Sequence, residues 1–427
     1  MSEICLLNDS FPPAIDGVAN TVVNYARILG SRGREVCVVT PDFPDAHDQD
    51  FPFPVVRYPS VDIRKWLGYT AGNPFSMGTL RKLKQHDFSL LHSHCPVMSQ
   101  VVARTLRESM DIPVVLTYHT KFDIDITGAL GSKIMQDSVI SMLVDSVSSA
   151  DELWVVSRGA GESIRSLGYE GDYVVMENGV DLPRARATEA QIAEATAGAD
   201  LPEGLPVFLF VGRMMWYKGI RIILDALAAL ASRGVDFRMV FVGGGLEADE
   251  IMAYAKARGL GEKCLFKGPI HDRDTLVAWY SRANLLLFPS TYDTNGLVVR
   301  EAAACSLGAV LVRDSCAAEG VADNVNGLLI DENAASLAVC LAQVLDHPDT
   351  MRRLGEAASR DLYVSWEDAV AKAEERYQVV LDNHRSGVYE KKRRLSDSLF
   401  SLSGNFLDFY DKALGLWNRD ERSVRYR

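Results

Sequence analysis

The chain has 427 residues, enough for two or three domains with their own cores, and its 48% hydrophobic and 24% charged content is that of an ordinary globular protein. A net charge of -12 speaks against a general nucleic-acid binder, which needs a basic face, and no apolar run approaches the ~20 residues that span a bilayer. The seven cysteines are scattered, with no Cys-x-x-Cys and no metal-like pairing with His, which fits free thiols in a reducing cytoplasm.

The opening MSEICLLND goes straight into a strand and lacks a signal-peptide layout. Buried strands are then expected at ICLLN, EVCVVT, FSLLHSH, PVVLTYH, ELWVVS and DYVVMENG, with helices such as 18–31 and 97–109 between most of them. Continuous apolar strands alternating with helices predict a parallel sheet covered on both faces. A Pro-rich loop runs from the first strand to Gly17, where a missing side chain permits close backbone approach to a ligand. The bland reading is a plain strand-to-helix loop. His119 ends a strand; it either faces a ligand or is a satisfied structural histidine. His92 and His94 sit similarly, but no third ligand has convincing spacing, so a metal site is rejected. Asp123 and Asp125 form an Asp-x-Asp without strand-end context and read as chance.

Residues 182–205, rich in Ala, Glu, Pro and Gly, read as the linker region. The pattern restarts with PVFLFVG, FRMVFVG, KCLFKG, NLLLFPS, GAVLV and GLLI, a second α/β domain. Two doubly wound domains place ligands at the carboxyl ends of their strands. In VGRMMWYKGI, Arg213 offers a planar fork and Lys218 a compact charge, suited to a leaving diphosphate; the alternative is two solvated cations on a loop. In FPSTYDTNGLVVREAAA, Gly296 precedes a helix start whose free N–H groups and positive dipole end suit an anion. Asp293 in the turn suits sugar hydroxyls, and Glu301 on the helix suits a ribose; the alternatives are an N-cap and an exposed Glu. Gly243 opens a Gly-Gly-Gly turn expected to pass near a nucleotide.

SWEDAVAKAEERYQVVL is an amphipathic helix. In the tail 390–417, Leu399, Leu402, Phe406, Tyr410, Ala413 and Trp417 recur at helical spacing behind a basic cluster. Such a helix lies in a membrane interface or packs on the body of the protein. Arg64, Lys65 and Trp66 form a second basic–aromatic patch.

In order and spacing, these segments resemble the family 4 retaining glycosyltransferases of GT-B fold, over nearly the whole chain to about residue 385. The resemblance rests on the Pro-Pro and Gly17 loop, His119, ENGVD, GRMMWYKG, FVGGG, FKGPI and the paired-acid segment. It implies an α/β fold of two doubly wound Rossmann-like domains facing each other across a cleft, plus a C-terminal helical extension. The boundaries expected are 1–182 for acceptor binding, 205–363 for the nucleotide sugar, and 364–427 for a helix crossing back to the first domain and the tail. It implies that Arg213 and Lys218 hold the donor diphosphate, Glu301 the ribose and Asp293 the donor sugar. Backbone at Gly296, Leu297 and Val298 meets sugar and phosphate, Gly17 approaches the diphosphate, His119 sits by the sugar, and Pro269 and Ile270 contact the base. The nucleotide sugar is then a substrate, with no cofactor and no metal required.

In motif style the chain is most similar to the diacylglycerol glucosyltransferase branch, which implies UDP-glucose and a lipid acceptor. Membrane association would then run through Arg64, Lys65, Trp66 and the tail, at the inner face of the cell membrane. Mannosyltransferases, soluble polysaccharide- or small-molecule-extending enzymes, and a non-catalytic sugar-nucleotide-binding subunit are the alternatives. The family usually has Glu at the position of Asp293, and the branch often reads Glu-Thr-Gln-Gly-Leu where this chain has Asp293-Thr294-Asn295-Gly296-Leu297, one methylene shorter at both the acid and the amide.

Overall fold

The computed structural model describes residues 3–14, 16–62, 70–121 and 132–389. The patch Arg64, Lys65 and Trp66, the pair Asp123 and Asp125, and the tail 390–417 lie outside the described residues.

The chain forms two compact units. In the first, the strands are β1 (Glu3–Leu7), β2 (Val36–Pro41), β3 (Val55–Tyr58), β6 (Phe88–Ser93), β7 (Val114–Tyr118), β8 (Glu152–Val155) and β9 (Tyr173–Val175). They make one parallel sheet in the order β3-β2-β1-β6-β7-β8-β9, while β4 (Ser60–Asp62) and β5 (Thr70–Gly72) form a small antiparallel pair. Every residue of β2 and β7 is buried, as a sheet covered on both faces requires.

The helix Trp366–Arg385 belongs to this first unit. Glu374 accepts from Arg32 at 2.8 Å and Arg34 at 2.5 Å, and Arg376 makes a fork to Glu152 at 2.8 and 2.6 Å. Tyr377 on the same helix is buried and meets His92 of β6.

The second unit runs from Glu177 to Ser365, with Ser157–Gly159. Its strands are β10 (Val207–Val211), β11 (Arg238–Val242), β12 (Cys264–Gly268), β13 (Leu285–Phe288), β14 (Ala309–Val312) and β15 (Leu328–Ile330). They form a parallel sheet in the order β12-β11-β10-β13-β14-β15. Phe208, Phe210, Phe241 and Phe288 pack in its core, each worth roughly 1.5–3 kcal/mol of transfer free energy.

The segment 182–205 differs from its reading as a linker. It lies inside the second unit and contains the helix Glu189–Ala195. Thr188 and Gln191 close a capping box, the Gln191 amide oxygen accepting from Thr188 N at 2.9 Å, and Ile192 is buried. The Pro and Gly residues around this short helix hide it, and the break between units falls at Met176 and Glu177.

All seven cysteines are free. Among the described residues no helix is long and apolar enough to cross a membrane.

Candidate active site

In the second unit the chain leaves β10 toward β11 on one side, while β13 lies on the other side of β10. Loops leaving adjacent strands in opposite directions open a crevice at their carboxyl ends. The two loops that rim it are Gly212–Gly219 and Pro289–Gly296. They lock together at glycine: Gly219 has φ +76°, and a Cβ there would strike the Pro289 carbonyl. Gly243 lies equally tight against the Gly212 carbonyl with φ +137°, so its lack of a side chain is required by backbone packing.

The crevice brings Lys218 and Asp293 together. Lys218 Nζ donates to Asp293 Oδ1 at 2.6 Å, and Ser290 Oγ donates to Asp293 Oδ2 at 2.5 Å. Lys218 is buried at the end of a single 3-10 turn, Trp216–Lys218. Its ammonium lies 5.5 Å from the ring centroids of both Tyr217 and Tyr292, which are 4.6 Å from each other. Both rings are within reach of a cation–π attraction, so the lysine is held from several sides. Arg213 is exposed, its guanidinium 5.8 Å from the Tyr217 ring. Asp293 is not the N-cap of the following helix.

That helix, Leu297–Ala304, begins at Gly296 in the left-handed region, φ 57° and ψ 47°, with no side chain capping it. A Cβ on Gly296 would sit 2.7 Å from the Ala317 Cβ. The first N–H groups therefore face outward without a side-chain acceptor, the arrangement that suits an anion. Leu297 and Val298 occupy its first turn, and Glu301 follows one turn on. Glu301 is partly buried and accepts from Tyr280 Oη at 2.7 Å. Burial pushes its carboxyl pKa up, partly offset by the Tyr280 hydrogen bond. A carboxyl raised in the fold opposes stability above that raised pKa, and the cost is relieved as pH falls through it. Glu301→Gln is therefore expected to raise the melting temperature at pH 7, checked by calorimetry; an unchanged or lower value contradicts a desolvated carboxylate.

Arg300, on the same helix, is buried and reaches Glu177 at 2.6 Å, the Leu362 carbonyl at 3.0 Å and the Asn295 amide oxygen at 3.4 Å. Pro269 and Ile270 follow β12, Pro269 exposed and Ile270 partly buried against the core.

Gly17 and His119 belong to the first unit. Gly17 begins the helix Gly17–Ser31, and nothing lies within 4 Å of where its Cβ would be. The Asp16 carboxylate already accepts from Val18 N at 2.8 Å and Ala19 N at 2.7 Å, so these N–H groups are occupied. His119 directly follows β7 and its Nε2 lies 3.0 Å from His94 Nδ1. His92 lies beneath, its Nδ1 2.5 Å from Tyr377 Oη and its Nε2 2.7 Å from Thr117 Oγ1. Burial lowers all three histidines, His119 to about 3, so the imidazoles are neutral at pH 7.

Tyr217, Tyr280, Tyr292, Ser290 and Arg300 are absent from the sequence reading. Tyr292 adjoins Asp293 and was open to notice. Tyr280 lies on the preceding helix, at a spacing from Glu301 that carries no motif.

Residues 192–361 match the family model described as glycosyl transferases group 1, and residues 15–184 match that of Glycosyltransferase Family 4. The chain is 30% identical over 413 residues to a D-inositol 3-phosphate glycosyltransferase of Salinispora tropica, covering 88% of this chain and 82% of that one. It is 30% identical over 300 residues to D-inositol 3-phosphate glycosyltransferase 2 of Catenulispora acidiphila, covering 66% of this chain and 69% of that one. Among solved structures, the sucrose-phosphate synthase of Thermosynechococcus elongatus superposes with a TM-score of 0.71 at 23% identity, over 90% of this chain and 100% of that one. Anabaena HepE, in complex with UDP and glucose, gives 0.68 at 18% identity, over 88% of this chain and 100% of that one. The Salinispora and Catenulispora relatives carry inositol-phosphate names, not that of the diacylglycerol glucosyltransferase branch that the motif style favours.

Proposed function

The chain belongs to family 4 of the glycosyltransferases and is a hexosyltransferase of GT-B fold, and from that premise we propose that it moves a hexose, with retention, from a nucleotide-diphosphate sugar bound in the crevice between β10 and β13. The observation that carries this reading is the Lys218–Asp293 pair at 2.6 Å beside a helix start without a side-chain cap. Lys218, Arg213 and the N–H groups at Leu297 and Val298 meet the diphosphate. Glu301, aimed by Tyr280, accepts from the ribose hydroxyls. Asp293 accepts from the sugar, and Pro269 and Ile270 border the base. For Gly17, Gly243 and His119 the assignment rests on the family resemblance.

As the anomeric bond breaks, positive charge grows on the sugar and negative charge on the leaving phosphate. Fixed cations and N–H groups already aimed at that oxygen stabilise the transition state without reorganising. The departing phosphate oxygen takes the acceptor's proton on the same face, so configuration is retained. The protein's own cations supply the positive charge, and the nucleotide sugar enters as substrate.

UDP-glucose is the donor favoured, in line with the HepE complex. For the acceptor, the names of the curated relatives favour a polyol phosphate. A lipid acceptor such as diacylglycerol is the second reading. It is favoured by an exposed apolar face on the helix Lys133–Ser148, where Ile134 is 79% and Met142 72% exposed and Met135 and Val139 are also exposed. On that reading the enzyme works at the inner face of the cell membrane.

Thermal shift against UDP-glucose, UDP-galactose, UDP-N-acetylglucosamine and GDP-mannose, followed by turnover with the best binder, tests the donor. Offering inositol 3-phosphate and diacylglycerol vesicles side by side separates the acceptors. Stabilisation by none of the four donors sinks the reading. A further expected result concerns pH. The raised Glu301 carboxyl loses its charge at a higher pH than an ordinary carboxylate, so donor affinity falls on mild acidification. Tyr280→Phe removes the hydrogen bond to Glu301 and is expected to weaken donor binding about tenfold, read by titration calorimetry; unchanged affinity counts against the ribose role.

A further inference from the structure

Glu301 can serve a ribose only if its helix is held at the right height and rotation. The helix Leu297–Ala304 is 8 residues long, and its buried face is mostly alanine, at Ala302, Ala303 and Ala304. Alanines raise low ridges that interlock little with neighbours, so the helix must be fixed at its ends. At the start, Gly296 sits against Ala317. At the far end, Arg186 Nη1 donates to the carbonyl of Cys305, the C-cap residue, at 3.3 Å. Nη2 of the same guanidinium donates to the Ser281 carbonyl, in the last turn of the helix Arg273–Arg282 that carries Tyr280. The backbone N–H of Ala187 adds a bond to Ser281 Oγ at 2.9 Å.

The last carbonyls of a helix lack partners within it and lie at the negative end of its dipole, so one cation bridging two such ends satisfies both. A guanidinium is a rigid planar fork, so it also fixes the spacing between them. The strap is itself anchored, because the Thr188–Gln191 capping box and buried Ile192 follow directly. The Tyr280–Glu301 hydrogen bond, 2.7 Å, crosses the same two helices. We propose that Arg186 is a positioning residue: by bridging the carboxyl ends of these helices it sets the Tyr280–Glu301 bond and so aims Glu301 at the ribose hydroxyls. Arg186 itself touches no substrate. The inference rests on the ribose role of Glu301 proposed above and extends it to a segment that reads in the sequence as a linker.

The test is titration calorimetry on the full-length chain with UDP and GDP, each beside its 2′,3′-dideoxy analogue, following whichever base the wild type binds. Arg186→Ala is expected to weaken the ribose-bearing nucleotide about tenfold and to leave the dideoxy analogue unchanged. Arg186→Lys, whose compact head reaches one carbonyl, is expected to lose less, again only with the ribose present; it decides the matter if the alanine variant does not fold by its melting curve. In a Tyr280→Phe background Arg186→Ala is expected to add less than about twofold, because both act through Glu301. Unchanged affinity, equal losses for the two analogues, or losses that simply multiply in the double variant overturn the inference and leave the donor site standing. A wild type that binds the nucleotide and its dideoxy analogue equally well removes the ribose role of Glu301, and this inference with it. A wild type that binds neither UDP nor GDP removes the donor site as a whole.

Discussion

Lys218→Ala is expected to lower turnover more than a hundredfold with the second unit still folded. Removing one fixed charge contact to a developing anion costs ~2–4 kcal/mol of transition-state stabilisation. Two features put the expected loss at the upper end of that range. The ammonium is buried and held over two tyrosine rings, so its position is set before the donor arrives. It also pairs with Asp293 at 2.6 Å. Without the lysine, the Asp293 carboxylate faces the incoming diphosphate as a like charge. Lys218→Arg keeps the charge but not the compact head that fits this turn, and is expected to recover only part of the rate. Arg213→Ala should follow the same direction, also beyond a hundredfold. Product formation under saturating donor, with a melting curve for each variant, checks both; near-normal turnover in either removes that cation from the site.

Acidification from pH 7 to pH 5 is expected to destabilise the first unit by at least about 2 kcal/mol. His92, His94 and His119 are buried in contact with one another and are held neutral by burial. Their folded pKa values lie below the unfolded value, so the stability they contribute is present above about 6.5 and is lost as pH falls toward the folded pKa. For His119, lowered to about 3, the loss between pH 6.5 and 5 is about 2 kcal/mol, because each pH unit is worth about 1.4 kcal/mol. Burial lowers His92 and His94 in the same direction, so they add to this loss. Hydrogen exchange in peptides covering β6 and β7 reads this unit separately from the other. Protection should fall sharply between pH 7 and 5 after correction for intrinsic exchange, and His92→Gln should flatten the slope. Protection independent of pH in this window contradicts neutral buried imidazoles.

The central strands were legible because a parallel strand buried on both faces is an uninterrupted apolar run, as in VFLFV of β10 and LLLF of β13. Edges were less so. β3 reads VVRY, alternating buried and partly exposed, with Arg57 tied to Asp48 and to the Pro41 and Pro12 carbonyls, and gives no such run. The helix Glu189–Ala195 was hidden because it is short and buries little beyond Ile192.

At the site, Lys218, Asp293, Gly296 and Glu301 could each be named, since each follows a strand at a recognisable turn. Their partnerships could not. Lys218 and Asp293 meet only because β10 and β13 are neighbours in a sheet whose order is not the chain order. Tyr280 meets Glu301 across two helices, and Arg300 meets Glu177 from the far side of the unit's sequence. Gly17 looked like a helix-start anion site, but the adjacent Asp16 takes the first N–H groups for itself.

If the second unit holds and cleaves a nucleotide-diphosphate sugar in the β10–β13 crevice, that cleavage can run slowly with water in place of the acceptor. Acceptor-free release of nucleoside diphosphate tests it most directly, with the four donors offered singly to the full-length chain and to Lys218→Ala. The wild type is expected to hydrolyse one donor slowly and the variant, still folded by its melting curve, to do so at least a hundredfold more slowly. Equal rates in the two proteins, or release from no donor at all, would contradict it.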